Sequence, residues 1–129
     1  MRRKALVVED DAATRELLRR LVQSQECDVD QAADGEAAIE LIDRNHYDVV
    51  LLDLVMPKIS GADVLDHVYA SNPALLERII VVTGLSLDEV RKLFPRVCNA
   101  LPKPVIPQRL VDSIHKCLQV RPDEFLTSA

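Results

Sequence analysis

Short, continuously apolar runs alternate along the chain with longer stretches in which apolar residues recur every three or four positions. Ala5-Leu6-Val7-Val8 reads as a buried strand. From about Ala12 to Ser24, Leu17, Leu18, Leu21 and Val22 share one face of a helix. Cys27 to Ala32 reads as a second strand, with Val29 its one strongly apolar residue. Asp34 is an N-cap by type and place. The helix it starts carries Ala38, Leu41 and Ile42 inward and ends near Asn45. Val49 to Leu52 is a third strand, followed by the irregular loop Met56-Pro57-Lys58-Ile59-Ser60-Gly61. The next helix carries Val64, Leu65 and Val68 and stops before Pro73. Ile79-Ile80-Val81-Val82 is β-branched enough to demand a strand. A short helix from about Ser86 to Phe94 ends at Pro95, and a weak fifth strand covers Asn99 to Leu101. Pro107 suits the first turn of a last helix that buries Leu110, Val111, Ile114 and Leu118.

Strands alternating with helices predict an α/β fold with a parallel central sheet. The strands are apolar throughout, as expected where helices cover both faces. Residues 1–120 are expected to form one domain, and 121–129, which lack periodicity, a flexible tail. The 129 residues fit a single domain with a core of its own.

Composition narrows the function. A net charge of −5 argues against a general nucleic-acid binder. The apolar run Val49–Leu52 is cut short by Asp53, so no segment here is expected to cross a membrane. The basic start Met1-Arg2-Arg3-Lys4 leads into only four apolar residues, which is no signal peptide. Cys27, Cys98 and Cys117 are scattered and odd in number, which reads as reduced thiols in a cytoplasmic protein. His46, His67 and His115 are dispersed and read as surface or half-buried residues.

In an open parallel sheet, ligands gather at the carboxyl ends of the strands. Here those ends hold Glu9-Asp10-Asp11, Asp53, Thr83-Gly84 and, just past the fifth strand, Lys103-Pro104. Glu9, Asp10 and Asp53 would repel one another, and a bound cation would relieve the repulsion. Oxygen ligands without Cys or His favour Mg²⁺ or Mn²⁺. A carboxylate can also act as a nucleophile and form an aspartyl-phosphate. Phosphoryl transfer needs positioned charge more than proton chemistry, and Lys103 and Thr83 would supply a cation and a hydrogen-bond donor. No glycine-rich nucleotide loop is present.

Leu6 to Asp11, Leu51-Leu52-Asp53-Leu54-Val55-Met56-Pro57, Gly61, Thr83 and Lys103-Pro104 together resemble a response-regulator receiver domain of two-component signalling. The resemblance spans roughly Lys4 to Val120. Its specificity lies in the ordered set, with spacings of 43, 30 and 20 residues between Asp10, Asp53, Thr83 and Lys103. It implies a doubly wound five-stranded sheet in the flavodoxin-like order 2-1-3-4-5. It further implies that Asp53 accepts a phosphoryl group from a histidine kinase or phosphotransfer protein. Asp10 would bind Mg²⁺ directly, Glu9 mostly through water, and Asp53 and the Val55 carbonyl would complete the ligands. Thr83 and Lys103 would hold phosphoryl oxygens, with the Lys103-Pro104 bond cis as is frequent in the family. The implied output is a downstream protein target or a fused output domain, with homodimerisation an option and no direct contact with nucleic acid. Because the sequence stops soon after the last helix, contact with another protein is the expected output.

Three positions depart from the family. Ala100 stands where Tyr or Phe is usual, which puts aromatic-coupled switching in question. The stretch from Thr83 to Lys103 is about two residues short and holds Pro95 and Pro102, so its helix is expected to be shortened. Gly84 follows Thr83 where Ala is common. Val55 and Leu85 offer no carboxylate to position a water, so a long-lived phosphoryl group is expected. Two other readings compete: a receiver-like module that signals without phosphorylation, and an aspartate-nucleophile phosphatase. The second is disfavoured because Val55 occupies the position where those enzymes carry a further carboxylate.

Overall fold

The computed structural model describes residues 2–119. Met1 and residues 120–129, which include the expected tail, lie outside the described residues. Five strands alternate with five α-helices: β1 (Arg3–Val8), α1 (Ala12–Gln23), β2 (Cys27–Ala32), α2 (Gly35–Arg44), β3 (Val49–Asp53), α3 (Gly61–Ser71), β4 (Ile79–Thr83), α4 (Leu87–Leu93), β5 (Asn99–Pro102) and α5 (Pro107–Gln119). All pairings are parallel and the strand order is 2-1-3-4-5. The sheet is therefore the doubly wound one expected.

Alternation along each strand divides the core into two layers. Leu6, Val8, Val50, Leu52, Ile79 and Val81 face Ala38, Ile42, Val64, Leu65, Val68 and Val90 of α2, α3 and α4. Ala5, Val7, Val49, Leu51, Ile80 and Val82 face Leu18, Val22, Leu110, Ile114 and Leu118 of α1 and α5. Burying each such Leu, Ile or Val contributes about 1.5–3 kcal/mol. The helices next to the acidic rim are started by side-chain caps. Asp11 accepts from the Thr14 amide at 2.9 Å, Asp34 from the Ala37 amide at 2.8 Å, and Ser60 and Asp63 form a reciprocal capping box.

Four expectations change. Leu17 is 47% exposed, because Leu18 and Val22 take the inward positions of α1 and Leu17 falls to one side. Val111 is only half-buried, while Ser113 and Cys117 fill the inner face of α5. Pro73–Arg78 forms a 3-10 segment where only a break was expected, and it buries Leu75 and Leu76. The thiols are not all reduced: Cys98 and Cys117 are joined by a disulfide, leaving Cys27 free. The pair lies 19 positions apart in the sequence, but α5 packs back along β5 and brings the two Cα atoms to 6.0 Å. That distance lies in the ordinary disulfide range, and it follows from topology rather than local spacing.

Candidate functional site at the carboxyl ends of the strands

β1 ends by handing Glu9 inward. The Glu9 amide donates to the Ala32 carbonyl of β2 at 3.1 Å, extending the ladder by one residue. Its side chain is fully buried, and Asp53, the last residue of β3, is nearly so. Asp10 stays exposed beside them. One carboxylate oxygen from each of Glu9, Asp10 and Asp53 lies within 4.8 Å of the other two. Like charges this close are unfavourable without a cation.

Lys103 supplies one positive charge. Its Nζ donates to Glu9 Oε1 at 2.6 Å and to Asp53 Oδ2 at 3.1 Å. Burial alone would lower the Lys103 pKa, but the hydrogen bonds to Glu9 and Asp53 outweigh it and hold the ammonium above its ordinary value. Burial raises the Glu9 carboxyl, and the Lys103 hydrogen bond opposes that rise. Lys103 is placed by its own backbone: its amide donates to the Thr83 carbonyl at 3.0 Å, and the Lys103-Pro104 bond is cis. Three carboxylates against one ammonium leave the cluster negative. Its all-oxygen donors suit a hard divalent cation of the Mg²⁺ class.

The loop after β3 frames the other side. The Val55 amide donates to Asp53 Oδ1 at 3.1 Å, so both Asp53 oxygens are held. Among the described residues no hydrogen bond is made to the Val55 carbonyl. The Gly61 amide donates to the Leu54 carbonyl at 3.0 Å. A Cβ on Gly61 would sit 2.2 Å from the Asp53 carbonyl oxygen and 2.5 Å from Leu54 Cα. Only glycine lets α3 start this close to the strand end. Thr83 closes β4, one residue beyond the Val82 that pairs with Asp53. It is buried, and its Oγ1 accepts from the Leu85 amide at 3.1 Å. Among the described residues, no hydrogen bond joins Thr83 to Asp53.

Sequence reasoning missed Arg15. Its guanidinium donates to the Glu9 carbonyl at 2.8 Å and reaches the Asp10 carbonyl at 3.4 Å, fixing the acidic turn from the first turns of α1. An Arg four residues after an N-cap carries no signal of its own. Only the turn geometry reveals it.

The departures also take shape. α4 is a seven-residue helix with Val90 as its only buried side chain. Ala100 is buried, and beside it a hollow of about 270 Å³ is lined by Arg91, Phe94, Pro95, Val97 and Asn99 among others. A Cβ on Gly84 would meet nothing within 4 Å.

A sequence model of the response regulator receiver domain matches residues 5–115. Response regulator MprA of a Mycobacterium species (strain KMS) is 32% identical over 122 residues, covering 94% of this chain and 53% of the relative. Transcriptional regulatory protein CpxR of Escherichia coli K12 is 34% identical over 118 residues, covering 90% of this chain and 49% of the relative. This chain thus spans about half the length of the curated relatives it matches. Among solved structures, the signal receiver domain of a putative LuxO repressor protein from Vibrio parahaemolyticus aligns with a TM-score of 0.87 at 28% identity, covering 100% of this chain and 99% of that one. Response regulator TrrA from Thermotoga maritima, solved with Mg²⁺-BeF, aligns with a TM-score of 0.80 at 28% identity, covering 92% of this chain and 100% of that one. With the matched region containing the whole carboxylate–lysine cluster, this chain belongs to the response regulator receiver domains of two-component signalling.

Proposed function

We propose that this receiver is phosphorylated on Asp53 by a histidine kinase or phosphotransfer protein in the presence of Mg²⁺, and that the added charge switches its contacts with another protein. The supporting observation is the Lys103 ammonium shared between buried Glu9 and Asp53. In this reading the chain is a cytoplasmic signalling domain that catalyses only its own phosphorylation and dephosphorylation. The donor set fits the metal: three carboxylates with a net surplus of negative charge and no nitrogen or sulfur ligand. Glu9, Asp10, Asp53 and the Val55 carbonyl would hold the ion. When bound, Mg²⁺ neutralises charge on the incoming phosphoryl oxygens.

The chain's own residues do the rest. An Asp53 carboxylate oxygen attacks phosphorus, and the P–N bond to the donor imidazole breaks. The imidazole leaves with the electron pair and takes a proton. Lys103 stays beside Asp53 and pairs with one phosphoryl oxygen. Thr83 Oγ1 already accepts from the Leu85 amide, so its own proton is left to donate to another. That contact pulls on the end of β4, next to the Lys103 backbone bonded to the Thr83 carbonyl, which gives a two-state element for the switch. The exposed side chains of Val55 and Leu85 carry no carboxylate to orient water, so the phosphoryl group is long-lived; a half-life of seconds would contradict this.

Beryllofluoride, a phosphoryl mimic, tests the site. With Mg²⁺ it should raise the Tm of the protein, and the rise should vanish for Asp53→Asn or when Mg²⁺ is chelated. Absence of binding by the unaltered protein would favour a binding module that works without phosphorylation.

A further inference from the structure

We propose that Cys98 and Cys117 form a reversible thiol–disulfide exchange site that sets how firmly α5 is held against β5. Cys98 sits immediately before β5, where its amide donates to the Ile79 carbonyl at 2.9 Å and pins it to the sheet. Cys117 lies in the fourth turn of α5, buried in the layer of Leu110, Ile114 and Leu118. One turn earlier, Asn99 Nδ2 donates to the buried Ser113 Oγ at 2.7 Å. Residues 98 and 99 therefore hold residues 117 and 113, one turn apart on the same helix face, by one covalent tie and one hydrogen bond. The covalent tie is the only one that chemistry can switch.

The two sulfurs differ in access. Cys98 is half-buried and Cys117 is 1% exposed. Exchange with a dithiol reductant thus begins at Cys98. A reductant thiolate attacks Cys98 Sγ, the bond to Cys117 breaks, and the Cys117 sulfur leaves with the electron pair and takes a proton. The second reductant thiol then attacks the mixed disulfide, freeing Cys98 and closing the reductant's own disulfide. Two electrons and two protons pass to the protein, and a disulfide oxidant reverses the sequence. A leaving sulfur buried among aliphatic side chains makes this slower than exchange at an open disulfide. Cys27, the third sulfur, is fully buried in the same layer, with its thiol pushed up by burial, and takes no part.

The location separates this switch from the carboxylate cluster. Cys98 precedes β5 and Lys103 follows it, so the exchange acts at the opposite end of the strand. After reduction α5 remains docked by its apolar face, by the Arg3 guanidinium on the Leu118 carbonyl at 3.2 Å and by the His115–Gln25 contact at 2.6 Å. The helix loosens rather than leaves.

The test equilibrates the whole chain in dithiothreitol buffers of graded oxidised-to-reduced ratio, then quenches it in acid, alkylates it under denaturing conditions and weighs it. Two species are expected, one with a single alkylated thiol and one with three. In the reduced species, amides of the second half of α5 should exchange with deuterium at least about fivefold faster, while those of β1 and β3 stay unchanged. Cys98→Ser should show the fast α5 exchange in every buffer. Three alkylated thiols under all conditions, or identical α5 exchange in the two species, would overturn the proposal.

Discussion

Lys103→Met keeps the unbranched stem and removes the charge that Glu9 and Asp53 share. At 2.6 and 3.1 Å the two contacts carry gross attractions of about 6 and 5 kcal/mol at an effective dielectric near 20. Desolvation offsets much of this, and the Lys103 side chain is 30% exposed, which admits screening. Stranding buried carboxylates costs about 3–5 kcal/mol, and discounting for the exposed ammonium leaves about 2–3 kcal/mol. For a chain of this length that lowers Tm by roughly 7–11 °C. The loss should depend on pH in one direction. Burial holds the folded Glu9 above its ordinary value of 4.5, so the folded form binds that proton more tightly than the unfolded chain. Stability therefore falls as pH climbs from 4.5 through the raised value. Without Lys103 the raised value moves further up, so the variant falls for longer. Urea unfolding in chelator should show a deficit that is smaller at about pH 4.5 than at about pH 7.5. A deficit constant across that range, or none at pH 7.5, would refute the reading of Lys103 as the counter-charge to buried Glu9.

Gly61→Ala drives a Cβ into the Asp53 carbonyl oxygen and Leu54 Cα, neither of which can rotate away. It should destabilise by about 3 kcal/mol or more in chemical denaturation and weaken beryllofluoride binding. Gly84→Ala, where the new Cβ meets nothing within 4 Å, should stay within about 0.5 kcal/mol of the parent in the same assay. Tyr47→Phe removes the hydroxyl that donates to Asp30 at 2.6 Å from a ring buried at the other end of the sheet. Its cost should be about 1–2 kcal/mol, with beryllofluoride binding unchanged, because partly exposed Asp30 regains water.

The fold was legible in the sequence because each strand carries its burial in its residue types. Ile79-Ile80-Val81-Val82 is fully buried as read, the cap Asp34 stands where α2 starts, and Pro107 is the first residue of α5. The site was legible for a related reason: charged residues ending apolar strands have few structural uses, and the order of Asp10, Asp53, Thr83 and Lys103 resembled one family. The positions that were misread depend on partners far away in the chain. Leu17 and Val111 are apolar, yet a helix face is chosen by what packs against it, and Leu18, Ser113 and Cys117 won those places. Cys98 and Cys117 meet only because α5 folds back along β5. Arg15 acts on backbone carbonyls, which leave no mark in residue type.

Intact mass after incubation with acetyl phosphate, followed by acid digestion and peptide mapping, tests phosphorylation most directly. Expected is a gain of one phosphoryl group, about 80 Da, on the peptide holding Asp53, present with Mg²⁺ and absent with chelator or in Asp53→Asn. A gain on another residue, or one that persists in Asp53→Asn, would contradict Asp53 as the phosphoacceptor.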